Sequence, residues 1–349
     1  MARTKRPRIA DVAKLAGVSE GTVSVVLNNR VGESVRVSED TQQKIWVAVR
    51  ELGYVANPVA QSLAGGHNRI IAVFTFESIF PIDSRNFYYP FLIGIEEEAD
   101  TQGYDLLLVT GSNGATNGTR HIFQNGINRL NRADGAILLG HGERSEVLQL
   151  LEEQYPFVFV GRRDSPLDTI SYIAADYSAA TVELVHHLVQ NGHQQIAYVR
   201  STRDTEASQD RENGVRTAFS VYDVTQFDDY LWRGVANSFS VESFTHYLTR
   251  GYTAFVAEDD ELGRQILAVA EKYGAQCPRD YSLVVLGNPL NPMIDVPNWT
   301  SFNIPRRDMG RESFKMLLDL LTQPEDERET PLRKTLSCVF YEGDTVRKL

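Results

Sequence analysis

The sequence contains very little cysteine: Cys277 and Cys338 are the only two among 349 residues. Two cysteines exclude a disulfide framework and a cysteine-rich zinc site, although they leave room for one bridge. No run approaches the roughly 20 apolar residues that a membrane span requires. The basic residues 1–8 are followed by no apolar stretch, so they lack the pattern of a secretory signal. We therefore expect a cytoplasmic protein that does not enter a membrane.

The motifs of several enzyme classes are also missing. The sequence has no Gly-x-Ser-x-Gly elbow, no phosphate-loop Gly-Lys-Ser/Thr and no His-Glu-x-x-His. His186 and His187 are adjacent, so they cannot share one helix face and would make a poor metal site. Residues 111–118 are rich in glycine but lack a phosphate-binding lysine, and we interpret them as a loop. We expect no enzymatic activity, no cofactor and no metal.

Length and charge indicate at least two domains with different tasks. At about 150 residues per domain, the chain has room for two or three. Its net charge of -11 is unevenly distributed, since residues 1–69 sum to +4 and residues 70–349 to -15. A polyanion is the natural partner of a basic head on an acidic body. The alternative is a solvated basic tail without a task.

The basic head predicts two short helices joined by a tight turn. Apolar residues recur at helical spacing from Ile9 to Ala16, Gly17-Val18 breaks the pattern, and Ser19 is a good N-cap. A helix-turn-helix of this kind buries one face of its second helix and presents the other. The expected inward residues are Val23, Val26 and Leu27, and the expected outward residues are Glu20, Gly21, Ser24 and Val25.

A third helix is expected to begin near Ser38, with Ile45, Val49 and Leu52 as its buried stripe. Three helices in about 50 residues could also form a small bundle that binds protein, but the basic arm and the exposed turn favour DNA. Residues 57–64 predict a further helix of about two turns, which would be marginal in isolation. Its Leu63 could act as an apolar wedge between base steps in a minor groove. A plain interdomain linker is the alternative.

From residue 70 onward, near-solid apolar runs alternate with helical patterns, which predicts an α/β fold with buried parallel strands. The predicted strands cover residues 70–76, 106–109, 136–139, 157–160, 196–199, 254–257 and 283–286. Helical patterns over residues 91–99, 179–189, 214–219 and 262–273 separate most of them.

Long ordered segments of the head resemble the lactose/galactose-repressor (LacI/GalR) family of bacterial transcription factors. Residues 9–28 are similar to the N-terminal signature of that family, and residues 53–63 to the end of its headpiece and its hinge helix. The resemblance extends through nearly the whole chain, with similar segments at residues 86–96, 102–108, 132–140, 192–198, 278–285 and 299–310.

The resemblance implies an N-terminal all-α helix-turn-helix headpiece followed by an α/β periplasmic-binding-protein-like effector domain of two lobes. We place the headpiece at 1–56, the hinge helix and linker at 57–68, and the domain for effector binding and dimerisation at 69–349. Three crossovers near residues 171, 303 and 325 would join the lobes. The N-lobe would then comprise 69–171 and 303–325, and the C-lobe 172–302 and 326–349.

By this resemblance the protein is a transcriptional repressor that binds a palindromic operator in double-stranded DNA as a homodimer. A saccharide-like small molecule would bind between the two lobes, at the carboxyl ends of the strands. Two alternatives stay open. The same regulator could respond to a partner protein, or the chain could be a small-molecule binding protein without a regulatory role.

The resemblance assigns DNA contacts to eleven residues: Ser19, Glu20, Gly21, Thr22, Ser24, Val25, Asn28, Asn57, Ala60, Gln61 and Leu63. Thr22 and Asn28 are expected to hold phosphate. The sequence departs from the family at Val25, where members commonly place an arginine that reads guanine. Valine can touch a thymine methyl, and Glu20 can accept a hydrogen bond from cytosine. We therefore expect an outer half-site that differs from the commoner operators of the family.

The resemblance also assigns Phe87, Tyr88, Arg211, Asp259 and Asn288 to the effector site, and the ends of predicted strands add Arg162, Asp176 and Trp232 as candidates. Arg211 corresponds to the family's effector-binding arginine, whose fork holds vicinal hydroxyls or a carboxylate. Gly287 and Asn288 stand where the family often has two aspartates, and Asp259 where it often has asparagine. The missing carboxylate at Gly287 argues against a typical hexose.

Overall fold

The computed structural model describes residues 7–27, 36–52, 54, 68–77, 87–110, 120–142, 144–164, 169–224, 230–288, 297–323 and 330–349. The chain divides into two compact units. One is residues 1–70 with 132–134, and the other is residues 71–131 with 135–349. Both cysteines are free thiols. Among the described residues, no helix is both long and apolar enough to span a membrane.

Fourteen strands are present in the described ranges: β1 (Ile70–Thr75), β2 (Asp105–Val109), β3 (Phe123–Gln124), β4 (Ile127–Asn128), β5 (Gly135–Leu139), β6 (Phe157–Val160), β7 (Tyr172–Ala175), β8 (Ile196–Arg200), β9 (Leu231–Arg233), β10 (Ala254–Ala257), β11 (Ser282–Val285), β12 (Thr300–Asn303), β13 (Arg333–Leu336) and β14 (Val339–Tyr341).

Ten α-helices accompany them in the same ranges: α1 (Ile9–Ala16), α2 (Glu20–Leu27), α3 (Glu39–Leu52), α4 (Tyr89–Gln102), α5 (Arg144–Glu152), α6 (Tyr177–Gln190), α7 (Glu206–Val221), α8 (Val241–Thr249), α9 (Asp260–Tyr273) and α10 (Arg306–Thr322).

Helices α1, α2 and α3 form the first unit around a small core of their own. Val12, Val23 and Ile45 are fully buried at its centre. The third helix buries Ala48 more completely than Val49 and Leu52, which are half-buried. The stripe expected at Ile45, Val49 and Leu52 therefore faces the core, and Ala48 joins it.

The second unit contains two six-stranded sheets. The first has the strand order β13-β7-β6-β5-β1-β2, and the second has the order β14-β12-β11-β10-β8-β9. Pairing is parallel from β13 through β7, β6 and β5 to β1, and from β12 through β11, β10 and β8 to β9. At one edge of the second sheet, β14 pairs antiparallel with β12, and β3 and β4 form a separate antiparallel pair. The central strands are buried along their whole length, which explains their solid apolar sequences.

Helices α4 and α10 pack together against the first sheet through two glycines. A Cβ on Gly94 would collide with the carbonyl oxygen of Arg307, and a Cβ on Gly310 would collide with that of Phe91. Each helix therefore needs a glycine where the backbone of the other passes. This contact fixes the start of α10 beside the start of α4.

The chain passes between the two sheets three times. It leaves the first sheet after β7, returns between β12 and α10, and crosses again at residues 337–338, between β13 and β14. The sequence estimate for the second crossing is residue 303. The first follows Ala175 instead of residue 171, and the third lies beyond the expected residue 325. The reason is that β13 pairs with β7 in the first sheet, and its exposed Arg333, Lys334 and Thr335 give no apolar signal.

Candidate functional site

The turn between α1 and α2 is built by Gly17 and Ser19. Gly17 has a φ of +70°, a left-handed conformation that favours glycine. Its backbone N–H donates to the carbonyl oxygen of Ala13, as does the N–H of Val18 at 3.0 Å. Ser19 then caps α2, because its Oγ accepts from the N–H of Thr22 at 3.1 Å. The predicted helix, turn and cap are all present.

The exposed face of α2 carries the candidate DNA contacts. Val23 and Val26 are buried against the core, whereas Glu20 and Gly21 are exposed and Ser24 and Val25 are half-buried. The hydroxyl of Thr22 lies 2.8 Å from that of Ser19, so both stand at the amino end of the helix, where unpaired N–H groups favour phosphate. Five further candidates lie outside the described residues: Asn28, Asn57, Ala60, Gln61 and Leu63.

The second candidate site lies at the carboxyl ends of the parallel strands. Tyr177 begins α6 directly after β7 and Asp176, while Asp260 begins α9 after β10 and Arg306 begins α10 after β12. Strand ends of this kind are where ligands bind in open α/β sheets. Of the predicted effector residues, Trp232 lies within β9 and Arg211 within α7, and the others lie in connections between elements of secondary structure.

Phe87 and Tyr88, which precede α4, have different roles. Tyr88 is buried, and its hydroxyl donates to Oε2 of Glu77 at 2.7 Å. Burial raises the pKa of Tyr88 well above its usual range, so the phenol stays protonated. Phe87 is 40% exposed. Phe87 therefore leaves part of its ring accessible, whereas Tyr88 is held in place by packing and by Glu77.

Two ion pairs join the lobes at the end of β6. Arg162 Nη2 lies 3.0 Å from Oδ1 of Asp210, and Arg163 Nη1 lies 2.6 Å from Oε2 of Glu206. Both acids belong to α7 of the second lobe. Arg163 also donates to the carbonyl oxygen of Gly140 and lies over the Phe159 ring. Arg162 thus joins the lobes in this conformation, and sequence reasoning missed its neighbour Arg163.

Arg211 reaches the strand ends of the second sheet from α7. Its Nε donates to the carbonyl oxygen of Leu286 at 3.1 Å, and its Nη1 to that of Ala207 at 3.2 Å. The guanidinium carbon stands 4.1 Å from the centroid of the Tyr177 ring. A Cβ on Gly287 would be 3.8 Å from Nη2 of Arg211. The arginine therefore faces the position where the family often has an aspartate.

Asn288 and Arg306 complete this group. Oδ1 of Asn288 accepts from the N–H of Ile304 at 3.0 Å and from Nη1 of Arg306 at 2.8 Å. The guanidinium carbon of Arg306 lies 5.6 Å from the centroid of Phe87. The sequence predicted Asn288, Phe87 and Arg211, but not Tyr177 or Arg306. The signal that could have found Arg306 is its position directly after a strand.

The remaining candidates have structural partners. Oδ1 of Asp176 accepts from the N–H of Ala179 at 3.0 Å, and Oδ1 of Asp259 from that of Leu262 at 2.8 Å, so both cap helices. Burial raises the pKa of Asp259. Trp232 packs edge-on against Phe239, with centroids 5.1 Å apart. The described part of the chain brings no three His, Cys, Asp or Glu side chains together in a way that could hold a metal.

Comparison with known families and proteins places both units among regulators. Residues 8–57 match the family described as bacterial regulatory proteins, lacI family, and residues 185–346 match the periplasmic binding protein-like domain. The transcriptional regulator CelR of Thermobifida fusca is 29% identical over 96% of this chain and 97% of its own. The regulator DegA of Bacillus subtilis is 28% identical over 88% and 89%.

Solved structures show the same architecture. A complex of the regulator CelR with cellobiose has a TM-score of 0.66 at 26% identity, and it covers 97% of this chain and all of the other. The lac repressor dimer bound to its operator has a TM-score of 0.71 at 23% identity, over 98% and 100%. The second likeness concerns the fold alone.

Proposed function

Because the chain belongs to the lacI family of bacterial regulatory proteins, we propose that it is a ligand-responsive repressor of transcription. The observation that carries the proposal is the pairing of two units in one chain. A helix-turn-helix with an exposed second helix precedes an α/β unit of two sheets whose strand ends gather aromatic and guanidinium groups.

The first unit binds DNA through the exposed face of α2. A homodimer would place two such helices in successive major grooves of a palindromic operator. Glu20 and Val25 carry the base preference, and Ser19 and Thr22 fix the helix against phosphate. Residues 57–64 form the hinge that docks in the minor groove between the half-sites. These assignments rest on the family resemblance and, for the described residues, on their exposure.

The second unit binds the effector between its lobes. Phe87, Tyr177 and Trp232 offer aromatic surface, and Arg211 and Asn288 offer polar groups that fix orientation, as ligand sites require. The CelR relative was solved with cellobiose, which supports a small carbohydrate-like effector for this chain. DNA and effector regulate each other by linkage, since each changes the affinity of the other by the same factor.

Selection of sites from a random DNA pool, at one fixed salt concentration, tests the proposal. Enrichment of a palindrome with a flexible central step is the expected result. The enriched site then serves as the probe for effectors, which should change its affinity. If no site is enriched, with or without an added metabolite extract, the chain is not a sequence-specific regulator.

A further inference from the structure

Arg211 and Arg306, together with Tyr177, Phe87 and Asn288, form what we call the arginine cluster. Arg211 lies over Tyr177, and Arg306 lies near Phe87 and donates to Asn288. Burial lowers the pKa of Arg306, and Tyr177 opposes this effect. The nearby charge of Arg211 lowers the pKa further. A Cβ on Gly287 would lie 3.8 Å from Nη2 of Arg211, and Arg306 donates to the next residue, Asn288, so the cluster brings two positive charges close together.

Among the described residues, neither arginine forms a hydrogen bond or an ion pair with an acid, although the charge of Asp260 acts on Arg306 and that of Asp210 on Arg211 through space. The hydrogen bonds of Arg211 go to the carbonyl oxygens of Leu286 and Ala207, and that of Arg306 goes to the amide oxygen of Asn288. Arg306 is only 7% exposed, and its Nε has no hydrogen-bond partner among the described residues. A buried charge with an unmet donor is costly unless something compensates for it.

Several described acids around the cluster already have partners. Asp260 pairs with Arg264 at 2.6 Å. Asp176 and Asp259 cap α6 and α9, and Asp210 pairs with Arg162 at 3.0 Å. Within the described residues, the positive charge of the cluster is thus left without a carboxylate partner of its own.

Two helix ends add to this preference. The N-cap residues of α4 and α10 are Tyr88 and Pro305, and neither makes a side-chain cap hydrogen bond, whereas Asp176, Thr205 and Asp259 cap α6, α7 and α9. The two uncapped ends lie on either side of the Phe87–Arg306 contact. Helix amino ends favour negative charge, so they act in the same direction as the two arginines.

From these observations we infer that the effector carries an oxyanion, a carboxylate or a phosphate, which the arginine cluster binds beside a carbohydrate-like body. The inference rests on the proposed function, since it specifies the chemistry of the same effector site. Arg306 forms a charge-assisted bond to the anion through its free Nε–H, and Phe87 and Tyr177 pack against the apolar face of the body. A neutral sugar would leave the buried charge of Arg306 unbalanced.

Ligand binding to the full chain tests the inference. The probes are gluconate, glucose 6-phosphate and neutral glucose, with inorganic phosphate and acetate as minimal anions, all at constant ionic strength. Calorimetry gives affinities, and the melting temperature reports weak binding. We expect at least one anion class to stabilise the wild type beyond its neutral counterpart. The difference between phosphate and carboxylate then identifies the anion.

Arg306→Met removes the charge and keeps an apolar chain, and it should weaken anion binding about ten- to hundredfold. Without ligand it should raise the melting temperature by about 2 °C or more, because an unbalanced buried charge is gone. Arg307→Met is the matched control. Arg307 adjoins Arg306 in the sequence, but it is exposed and pairs with Glu97 on the surface. It should leave anion binding unchanged.

Three results would overturn the inference. The first is that no anion stabilises the wild type, and the second is that anion binding survives Arg306→Met. The third is that Arg306→Met lowers the melting temperature of the ligand-free protein, which would make Arg306 a structural residue. Operator selection on the same samples keeps the two ideas separate. A protein that selects an operator but ignores anions retains the proposed function and loses this inference.

Discussion

Glu20 and Val25 are the residues of α2 that we expect to determine which bases the protein prefers. Glu20 is exposed on α2, and its carboxylate repels phosphate. If α2 lies in a groove of DNA, as we propose, Glu20 needs a hydrogen-bond donor on a base. The amino group of cytosine is such a donor in the major groove. The position of Glu20 in the first turn also suits the helix dipole.

Glu20→Gln should change the base preference at the outer half-site, because an amide can donate as well as accept. We expect about 1–3 kcal/mol less discrimination in favour of the wild-type base at that step. Competition binding against all four bases at this position measures it. Glu39→Gln, in the first turn of α3, serves as a control of the same charge change. An unaltered base preference in Glu20→Gln would remove Glu20 from the reading face.

Leu63 lies outside the described residues, and its role as a wedge rests on the sequence. Leu63→Ala should weaken operator binding about tenfold or more, because burying a leucine between bases is worth about 1.5–3 kcal/mol. The melting temperature should stay nearly unchanged. Binding and DNA bending assays measure the effect, with the exposed Leu15→Ala as the control. Equal bending by wild type and Leu63→Ala would contradict the assignment.

His193 is a buried histidine away from both sites. Its Nδ1 lies 2.8 Å from Oγ1 of Thr253, and its Nε2 lies 2.9 Å from Oγ of Ser282 and 3.1 Å from the carbonyl oxygen of Arg347. Burial lowers its pKa below the ordinary 6.5, while the carbonyl opposes this. A lowered pKa means that the unfolded chain binds the proton more readily. The stability from neutral His193 is therefore present above pH 6.5 and declines as the pH falls below it.

His193→Asn should reduce this pH dependence. Between pH 7 and 5.5 the free energy of unfolding of the wild type should fall, and that of the variant should fall less. Urea unfolding at several pH values measures both. The exposed His121→Asn is the control and should keep the wild-type slope. Identical slopes for wild type and His193→Asn would mean that other groups cause the dependence.

At the scale of the element, the sequence predicted seven strands and most helices of the second unit, but not the interior strands β7 and β12. Strands such as β5, β6, β10 and β11 are apolar throughout because they are buried on both faces. The edge strands β13 and β14 were missed, since their exposed residues carry no such signal. For the same physical reason the effector site was predicted in part. The position after the first strand located Phe87, and the family resemblance located Arg211 and Asn288. Arg306 follows β12, whose sequence Thr-Ser-Phe-Asn contains no apolar run.

The contact between α4 and α10 should tolerate no side chain at its glycines. Gly94→Ala forces a methyl group against the backbone of α10, so we expect a loss of about 3 kcal/mol in the free energy of unfolding. Chemical denaturation measures it. Glu96→Ala, exposed on the same helix, should change stability by about 0.5 kcal/mol or less. A stable Gly94→Ala variant would show that the two helices can separate without cost.

At the scale of the whole molecule, the ion pairs between α7 and the end of β6 tie the lobe arrangement to the effector site. Arg163 and Glu206 are mostly buried, with side chains 15% and 20% exposed. Ion pairs in such surroundings couple more strongly than surface pairs. Since Arg162 and Arg163 adjoin the same segment of α7 as Arg211, a ligand that moves α7 must also act on these pairs.

A double-mutant cycle with Arg163→Met and Glu206→Gln should give a coupling energy of about 0.5–3 kcal/mol in the free energy of unfolding. The exposed neighbours Arg279 and Asp280 provide a control cycle with no measurable coupling. Effector affinity should change in each single variant as well, because the arrangement of the lobes is altered. Additive single effects would mean that the lobes do not depend on this pair.

The edge strands β13 and β14 also determine when the two sheets can be completed during synthesis on the ribosome. The headpiece has its own core and is synthesised first, whereas both sheets lack an edge until residues 333–341 emerge. At about 5–20 residues per second, the remaining chain takes roughly 15–60 s to synthesise. A nascent or prematurely terminated chain would therefore carry a folded headpiece without a complete effector domain. Translation that stops before β13 should yield fragments that bind DNA but do not respond to a ligand.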